Sequence, residues 1–91
     1  MGETQIIRVR YWAAAKAAAG TAEDVLHVAG PVSLAEVMRR SADLHPDGTL
    51  ERVLGACSTL IGEAPAGTQP PEELLVEPGA TVEFLPPFAG G

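Results

Sequence analysis

Cysteine, histidine and aromatic residues are scarce in this 91-residue chain, and each scarcity excludes a kind of site or core. Cys57 is the one cysteine, so an internal disulfide framework is excluded. One cysteine and two distant histidines, His27 and His45, are also too few for a metal site by spacing. With two Phe, one Trp and one Tyr in a composition that is 46% apolar, the predicted core is aliphatic.

Positive charge and long apolar runs are scarce as well. Six Lys and Arg stand against twelve Asp and Glu, for a net charge of −6, which argues against nucleic acid as a partner and favours a partner with a basic face. No apolar stretch reaches the length of a membrane span. Met1 to Gln5 is polar and acidic, with no apolar signal region after it, so we expect a cytoplasmic protein with no membrane partner.

Residues for catalysis are missing too. There is no G-x-x-x-x-G-K-[ST] loop to hold phosphate groups, and we expect no metal and no cofactor bound by this chain. Cys57 falls in a predicted strand, where a free cysteine is most often a small buried apolar residue. His27 is expected to be exposed, and Glu72-Glu73 to be a solvated charge patch. The chain is therefore expected to be non-catalytic on its own.

Alternating apolar residues predict strands at both ends of the chain. Gln5 to Trp12 places Ile7, Val9 and Tyr11 on one face, and Thr81 to Leu85 is the last strand. Between them we predict a short Ala-rich helix over 13–19 ended by Gly20, a strand over 23–29, a longer helix from 33 to 44 or 45, a helical turn over 49–54, a strand over 56–61, a loop over 62–71, a short strand over 74–76 and a type II turn over 77–80.

The longer helix decides the fold class. Ser33 followed by Glu36 predicts a capping box, and apolar residues then recur at i, i+3 and i+4. One such helix can cover one face of a small mixed sheet of four to five strands. The order of elements fits an α+β roll of the β-grasp (ubiquitin-like) type. We expect residues 1–91 to form a single domain, with 86–91 as an extended C-terminal tail.

Two glycines, Gly90 and Gly91, end the chain after Leu85-Pro86-Pro87-Phe88-Ala89. Neither glycine has a Cβ, so this end can pass through a narrow channel. Pro86-Pro87 stop the last strand and hold an extended exit, and Phe88 is suited to anchor in a partner's pocket. A free carboxylate on Gly91 suits a chain that is itself the substrate of another enzyme.

The segment Leu85-Pro86-Pro87-Phe88-Ala89-Gly90-Gly91 resembles the tail of ubiquitin-like sulfur carriers. It is most similar to the small subunit of molybdopterin synthase, where a strand ends in Pro-Pro and the chain ends in Gly-Gly. The resemblance covers most of the chain, because Arg8 to Gly20 looks like that family's first strand and short helix, and Ser33 to Arg40 like its main helix. Phe88 departs from the small aliphatic residue that is commoner there.

The resemblance implies a mechanism centred on Gly91. A separate enzyme, similar to the ubiquitin-activating enzymes and using ATP and Mg²⁺, would adenylate the Gly91 carboxylate. A sulfur donor protein would then convert it to a thiocarboxylate. The tail residues Pro86, Pro87, Phe88, Ala89 and Gly90 would insert into the large molybdopterin synthase subunit, in a heterotetramer. There the sulfur would pass to a pterin precursor in the synthesis of the molybdenum cofactor.

Strand alternation predicts a docking patch beside the tail. The first and last strands of a β-grasp sheet are parallel neighbours, so Trp12 and Leu85 are expected together on the outer face at the tail exit. An exposed apolar patch there would dock both the activating enzyme and the large subunit. The alternative is that Trp12 folds over the chain's own edge.

Other functions fit the same tail. Carriers for the thiazole of thiamin, or for cysteine, also end in Gly-Gly. A ubiquitin-like modifier would use the same adenylation but end in an isopeptide bond to lysine. A β-grasp interaction module would make no use of the tail's chemistry.

Overall fold

A computed structural model describes residues 5–46 and 48–87, in which five strands form one mixed sheet and two short strands pair separately. The strand order of the sheet is β2-β1-β7-β4-β5, and β3 pairs with β6. In chain order the elements are β1 (Gln5–Tyr11), α1 (Ala13–Ala19), β2 (Glu23–Val28), β3 (Val32–Ser33), α2 (Leu34–Leu44), α3 (Leu50–Ala56), β4 (Ser58–Ile61), β5 (Ala64–Pro65), a 3₁₀ turn (Pro71–Glu73), β6 (Leu75–Val76) and β7 (Thr81–Leu85).

The two outermost strands in sequence, β1 and β7, are neighbours inside the sheet. They run parallel, with Val9 opposite Val82 and Tyr11 opposite Phe84. These four side chains are buried, so the predicted alternation and the predicted parallel pairing are both confirmed. Strand β2 pairs with β1 in the antiparallel direction. The sheet's buried face and the helices therefore enclose one apolar core.

The helix ends follow the signals in the sequence. Gly20 ends α1 with φ of 76°, a left-handed conformation that glycine adopts without a steric penalty. The Ser33 hydroxyl accepts a hydrogen bond from the Glu36 amide at 3.0 Å, which confirms the predicted N-cap of α2. The Glu36 carboxylate instead accepts two hydrogen bonds from Arg39, both at 2.7 Å. The predicted type II turn is present too, with Gly79 at φ of 92°.

The structure differs from the predicted elements in three respects. The strand predicted over 56–61 begins at Ser58, because α3 continues through Ala56 and is longer than the single turn predicted. The loop predicted over 62–71 contains the short strand β5, which pairs with β4. Strand β3 was not predicted, and it pairs with β6 across more than forty residues of sequence. None of the helices within the described ranges is long and apolar enough to cross a membrane.

A polar cluster joins β1, β2 and the end of α2. The Tyr11 hydroxyl donates to Asp24 Oδ2 at 2.8 Å, and His45 Nε2 lies 2.6 Å from the same oxygen. The Tyr11 ring stacks on Phe84 with centroids 6.3 Å apart. Burial, followed by the Asp24 carboxylate, raises the pKa of Tyr11 above its ordinary value. The phenol is therefore neutral at physiological pH, and it links the sheet to the helix layer.

Candidate functional site

The last strand leaves the sheet from a central position. Leu85 pairs with Ser58 of β4, and on the other side the Trp12 amide donates to the Phe84 carbonyl at 3.0 Å. Pro86 and Pro87 follow at the surface, outside the strand, since proline has no amide to continue a ladder. We call the end of β7 at Leu85, Pro86 and Pro87 the tail exit. Backbone pairing with the neighbouring chain segment on each side of β7 fixes its position.

The structure describes two of the predicted tail residues and not the others. Pro86 and Pro87 lie where the sequence predicts them, exposed and directly after the strand. Phe88, Ala89, Gly90 and Gly91 lie outside the described residues. The roles predicted for these four residues stay predictions.

The outer face of the sheet carries the predicted docking residues. Ser58 opposite Leu85, and Leu60 opposite Glu83, are cross-strand partners and share a face. Arg10 lies opposite Glu83 on the other side of β7. This face points away from the buried residues Val82 and Phe84, as predicted for Leu85.

Trp12 lies over this face and is held there by two charged neighbours. Its indole Nε1 donates to Glu83 Oε1 at 2.9 Å, and the Arg10 guanidinium carbon stands 5.3 Å from the ring centroid. The side chain is nevertheless 41% exposed. A cation–π contact at such a site contributes about 0.5–1 kcal/mol. The indole therefore packs against the chain's own sheet, which agrees with the alternative prediction that Trp12 folds over its own edge. It also remains accessible to a partner.

Two open depressions flank the tail exit. One, of about 390 Å³, is lined by Leu85 and by residues of β4 and β5. The other, of about 280 Å³, lies between α1 and α3 and is lined by Trp12, Pro86 and Pro87 together with Ala13, Ala14, Ala15, Arg52, Val53, Ala56 and Cys57. We call the second depression the exit groove. Trp12 and Leu85 thus line different depressions, and a single patch formed by both stays a prediction.

Cys57 lines the exit groove, and its surroundings make its thiol less reactive. It follows α3 directly, where its Sγ donates to the Val53 carbonyl at 3.3 Å. Burial raises the pKa of this thiol, which keeps it protonated and weakly nucleophilic at neutral pH. Its position after a helix corrects the predicted place within a strand.

Other candidate groups are dispersed. His27 is exposed, as predicted, whereas His45 is taken up by the contact with Asp24. Glu72 and Glu73 lie exposed on the 3₁₀ turn. Across the part of the chain that the structure describes, three or more His, Cys, Asp or Glu side chains are nowhere grouped to hold a metal ion. At the tail exit the described residues therefore form a surface that is accessible to a partner.

Sequence reasoning missed several members of this surface. Glu83 and Arg10 could have been found, because both share the strand phase of Leu85 and Trp12. Arg52, Val53 and Ala56 could not, since they line the exit groove through the packing of α3 against α1, which is a contact between distant parts of the chain.

The arrangement of the sheet defines the class of fold. A mixed sheet with its first and last strands as central parallel neighbours, a leading hairpin and one main helix across it is the β-grasp fold of ubiquitin-like proteins. The fold predicted from the sequence is thereby confirmed.

Solved structures of ubiquitin-like proteins show the same fold. The small archaeal modifier protein 1 from Methanosarcina acetivorans matches with a TM-score of 0.72 at 23% identity, over 99% of this chain and 100% of that one. The complex of subunits 1 and 2 of molybdopterin-converting factor from Helicobacter pylori matches with a TM-score of 0.60 at 20% identity, over 94% and 99%. Urm1 from Trypanosoma brucei matches with a TM-score of 0.57 at 17% identity, over the whole of both chains.

The resemblance to ubiquitin-like sulfur carriers is thus confirmed in the fold. No model of a protein family matches the sequence, and no curated protein matches it. At identities of this order the likeness is one of structure, and the function has to be argued from the tail and its exit.

Proposed function

We propose that this protein is a sulfur carrier whose Gly91 carboxylate is adenylated and converted to a thiocarboxylate. The observation that carries the proposal is the tail exit. A central strand of a β-grasp sheet ends in Pro86-Pro87 beside an exposed Trp12, and the sequence continues from there to Gly90-Gly91. Within this class, we propose molybdopterin synthesis as the pathway.

The chemistry starts from an unreactive group. A terminal carboxylate has a reference pKa of about 3.3–3.7, so it is ionised at neutral pH and would have to expel oxide to act as an acyl donor. An activating enzyme that uses ATP and Mg²⁺ would join the carboxylate to the α-phosphate and release pyrophosphate. A donor persulfide would then displace AMP, and a thiol would reduce the resulting acyl disulfide to the thiocarboxylate. This chain supplies the reacting carboxylate, and its partners supply the catalytic groups.

The choice of pathway has one structural support. The Helicobacter pylori match is a complex of the two subunits of molybdopterin-converting factor, and this chain covers 99% of the matched chain. We propose a corresponding large subunit as the partner that receives the tail, in a heterotetramer, and a pterin precursor as the sulfur acceptor. The residues inserted would be Pro86, Pro87, Phe88, Ala89 and Gly90.

The test is an intact-mass measurement on untagged protein. The chain is incubated with ATP, an activating enzyme and a persulfide donor, and then treated with a thiol-alkylating reagent. Exchange of oxygen for sulfur changes the mass almost as much as oxidation of a methionine or of Cys57 does, so the alkylated position is mapped by fragmentation. We expect alkylation at Gly91, absent from a variant that lacks this residue.

An unmodified Gly91 would contradict the proposal if the same enzyme preparation converts a known carrier. The starting mass also reports directly whether Gly91 carries the free carboxylate. Copurification with a large synthase subunit, as opposed to a thiazole synthase, would distinguish the molybdopterin pathway from that of thiamin.

A second candidate is a protein modifier, since one matching structure is named a small archaeal modifier protein. The modifier would share the adenylation and then form an isopeptide bond. Finding Gly91 linked to lysine side chains in a cell extract would favour it over the carrier.

The outer face beside the exit is proposed as the docking surface for the activating enzyme. Replacing Trp12 with Ala is expected to raise the dissociation constant roughly tenfold or more, because exposed aromatic anchors dominate such contacts. Leu85→Ala is expected to act in the same direction. Val25→Ala is the matched control, since Val25 is 39% exposed but lies on the edge strand β2, away from β7. Calorimetric binding that is equal for Trp12→Ala and Val25→Ala, with both folded, would rule the docking surface out.

A further inference from the structure

Strand β2 is an outermost strand of the sheet, and its outward side offers backbone groups for pairing. Within the described residues, β2 pairs with β1 and with no other strand. The Ala22 carbonyl accepts a hydrogen bond from the Tyr11 amide, so the backbone groups of Ala22 and of every second residue after it point toward β1. Because successive residues of an antiparallel strand alternate in this respect, the amides and carbonyls of Glu23, Val25 and His27 point outward.

Contacts of both strands agree with this orientation. The Arg8 amide of β1 donates to the Ala80 carbonyl at 3.1 Å, on the side away from β2, and Arg8 is the register partner of Val25. The His27 carbonyl accepts from the Arg40 guanidinium at 2.8 Å, so it too is turned away from β1. Val25 is 39% exposed, and within the described residues its amide and carbonyl make no hydrogen bond on the outward side. An unpaired strand edge of this kind is a template for another strand.

The side chains along this edge are complementary to a second copy of themselves. Glu23, Val25 and His27 lie on the face away from the core, and Arg8 holds the Glu23 carboxylate there at 2.8 Å. An antiparallel pair with a twofold axis at Val25 sets Val25 against its own copy and Glu23 against His27 of the second copy, twice by symmetry. An imidazole donates a hydrogen bond to a carboxylate in its neutral form as well as in its charged form. A register shifted by two residues would set a polar side chain against Val25, and one shifted by four would oppose like groups.

The opposite edge of the sheet does not offer a comparable template. Strand β5 consists of Ala64 and Pro65 alone, and proline has no amide to donate to a neighbouring strand. A short edge that carries proline resists pairing with another chain. Association through β2 therefore closes at two copies and does not continue from sheet to sheet.

We propose that two copies of this chain associate through β2 of each, as antiparallel neighbours with the twofold axis at Val25. The two Val25 residues exchange both of their backbone hydrogen bonds, and the two five-stranded sheets become one continuous sheet. Strand β1 separates β2 from β7, so the tail exit is not part of this contact. The association concerns the free protein and does not depend on the chemistry proposed for Gly91.

Sedimentation equilibrium on the 91-residue chain, over a range of concentrations, tests the association. We expect the mass to rise toward twice that of one chain, and the Val25 amide to exchange with solvent more slowly as the concentration rises. Salt at about 0.15 M limits the repulsion between two chains of net charge −6, because screening then acts over about 8 Å. A mass that stays at one chain up to millimolar concentration would overturn the proposal.

Val25→Pro tests the place of the contact. Proline removes the outward amide of residue 25 and leaves the bonds to β1 in place, since an edge strand tolerates proline with its nitrogen toward solvent. We expect Val25→Pro to lose the dimer and Val25→Thr to keep it, because threonine has the shape of valine and an intact amide. Circular dichroism establishes that both variants are folded. A dimer that survives Val25→Pro would lie on another surface and exclude β2.

An exchange of charge at the flanking positions tests the register. His27→Glu alone opposes two carboxylates at each end of the contact, and Glu23→Lys alone opposes two basic groups, so each is expected to weaken the dimer roughly tenfold. Mixed in equal amounts, the two variants oppose unlike charges at both ends, and we expect mixed dimers in native mass spectrometry. Folded variants that form no mixed dimer would contradict a twofold axis at Val25.

Discussion

Replacing Phe84 with Ala is expected to lower the free energy of unfolding by about 3–5 kcal/mol. Phe84 is fully buried in β7 and stacks on Tyr11, and its backbone is hydrogen-bonded to the strand on each side. Removing the ring loses its burial and leaves a cavity beneath the tail exit. Since domains of this size are stable by only about 5–15 kcal/mol, the loss is a large part of the total. Denaturation by urea, followed by circular dichroism, measures it.

A second variant tests whether burial is the reason. Leu75 is 63% exposed on β6, so Leu75→Ala is expected to change the stability by no more than about 0.5 kcal/mol. If Phe84→Ala is as stable as Leu75→Ala, with the same denaturant dependence, then Phe84 is not in the core and the strand phase of β7 is wrong.

Raising the pH above 10 is expected to destabilise the fold through Tyr11, the single tyrosine of the chain. Burial first, and then Asp24, raise the pKa of this phenol above its ordinary value of 10.0. Above pH 10 the native chain therefore holds a proton that the unfolded chain has released. The contribution of Tyr11 to the free energy of unfolding is fully present below pH 10. Above pH 10 it falls by about 1.4 kcal/mol for each pH unit, until the pH passes the pKa of Tyr11 in the folded state. Urea midpoints at a series of pH values measure this decline.

Tyr11→Phe isolates the contribution of the phenol. This variant loses the hydrogen bond to Asp24, so at neutral pH it is expected to be less stable by about 1 kcal/mol. It should also lose the extra decline above pH 10, so that the two stability curves approach each other. Equal slopes for the two proteins would show that Tyr11 keeps an ordinary pKa in the fold. Tyrosinate absorbance provides an independent record, because it should rise together with unfolding.

Local signals in the sequence account for most of the sheet and for the helix ends. The alternation of Ile7, Val9 and Tyr11 predicts which face of β1 is buried, because a strand with one buried face has period two. Gly20 predicts the end of α1 because glycine adopts the left-handed conformation in which its amide bonds the Lys16 carbonyl. Ser33 predicts the start of α2 because its hydroxyl accepts a hydrogen bond from the Glu36 amide. These features depend on neighbours within a few residues, and a single sequence records them.

The features that sequence reasoning missed depend on distant contacts. Ala56, Cys57 and Ser58 include no glycine, asparagine or proline, the residues that commonly end a helix, so the end of α3 depends on packing against α1 and on the start of β4. The pairing of Val32 with Val76 leaves no local pattern in strands of two residues. The outer-face position of Leu85 could be predicted because it follows from the local alternation along β7. The exit groove could not be predicted because it depends on the contact between α1 and α3.

The position of β7 has a mechanical consequence. Its hydrogen bonds run to β1 on one side and to β4 on the other. A force applied along β7 from its C-terminal end would therefore load both ladders along their length, in shear, so that many bonds must fail together. A terminal strand at the sheet edge, pulled outward, would instead peel away one bond at a time. The domain is thus expected to resist being unravelled from the end of β7.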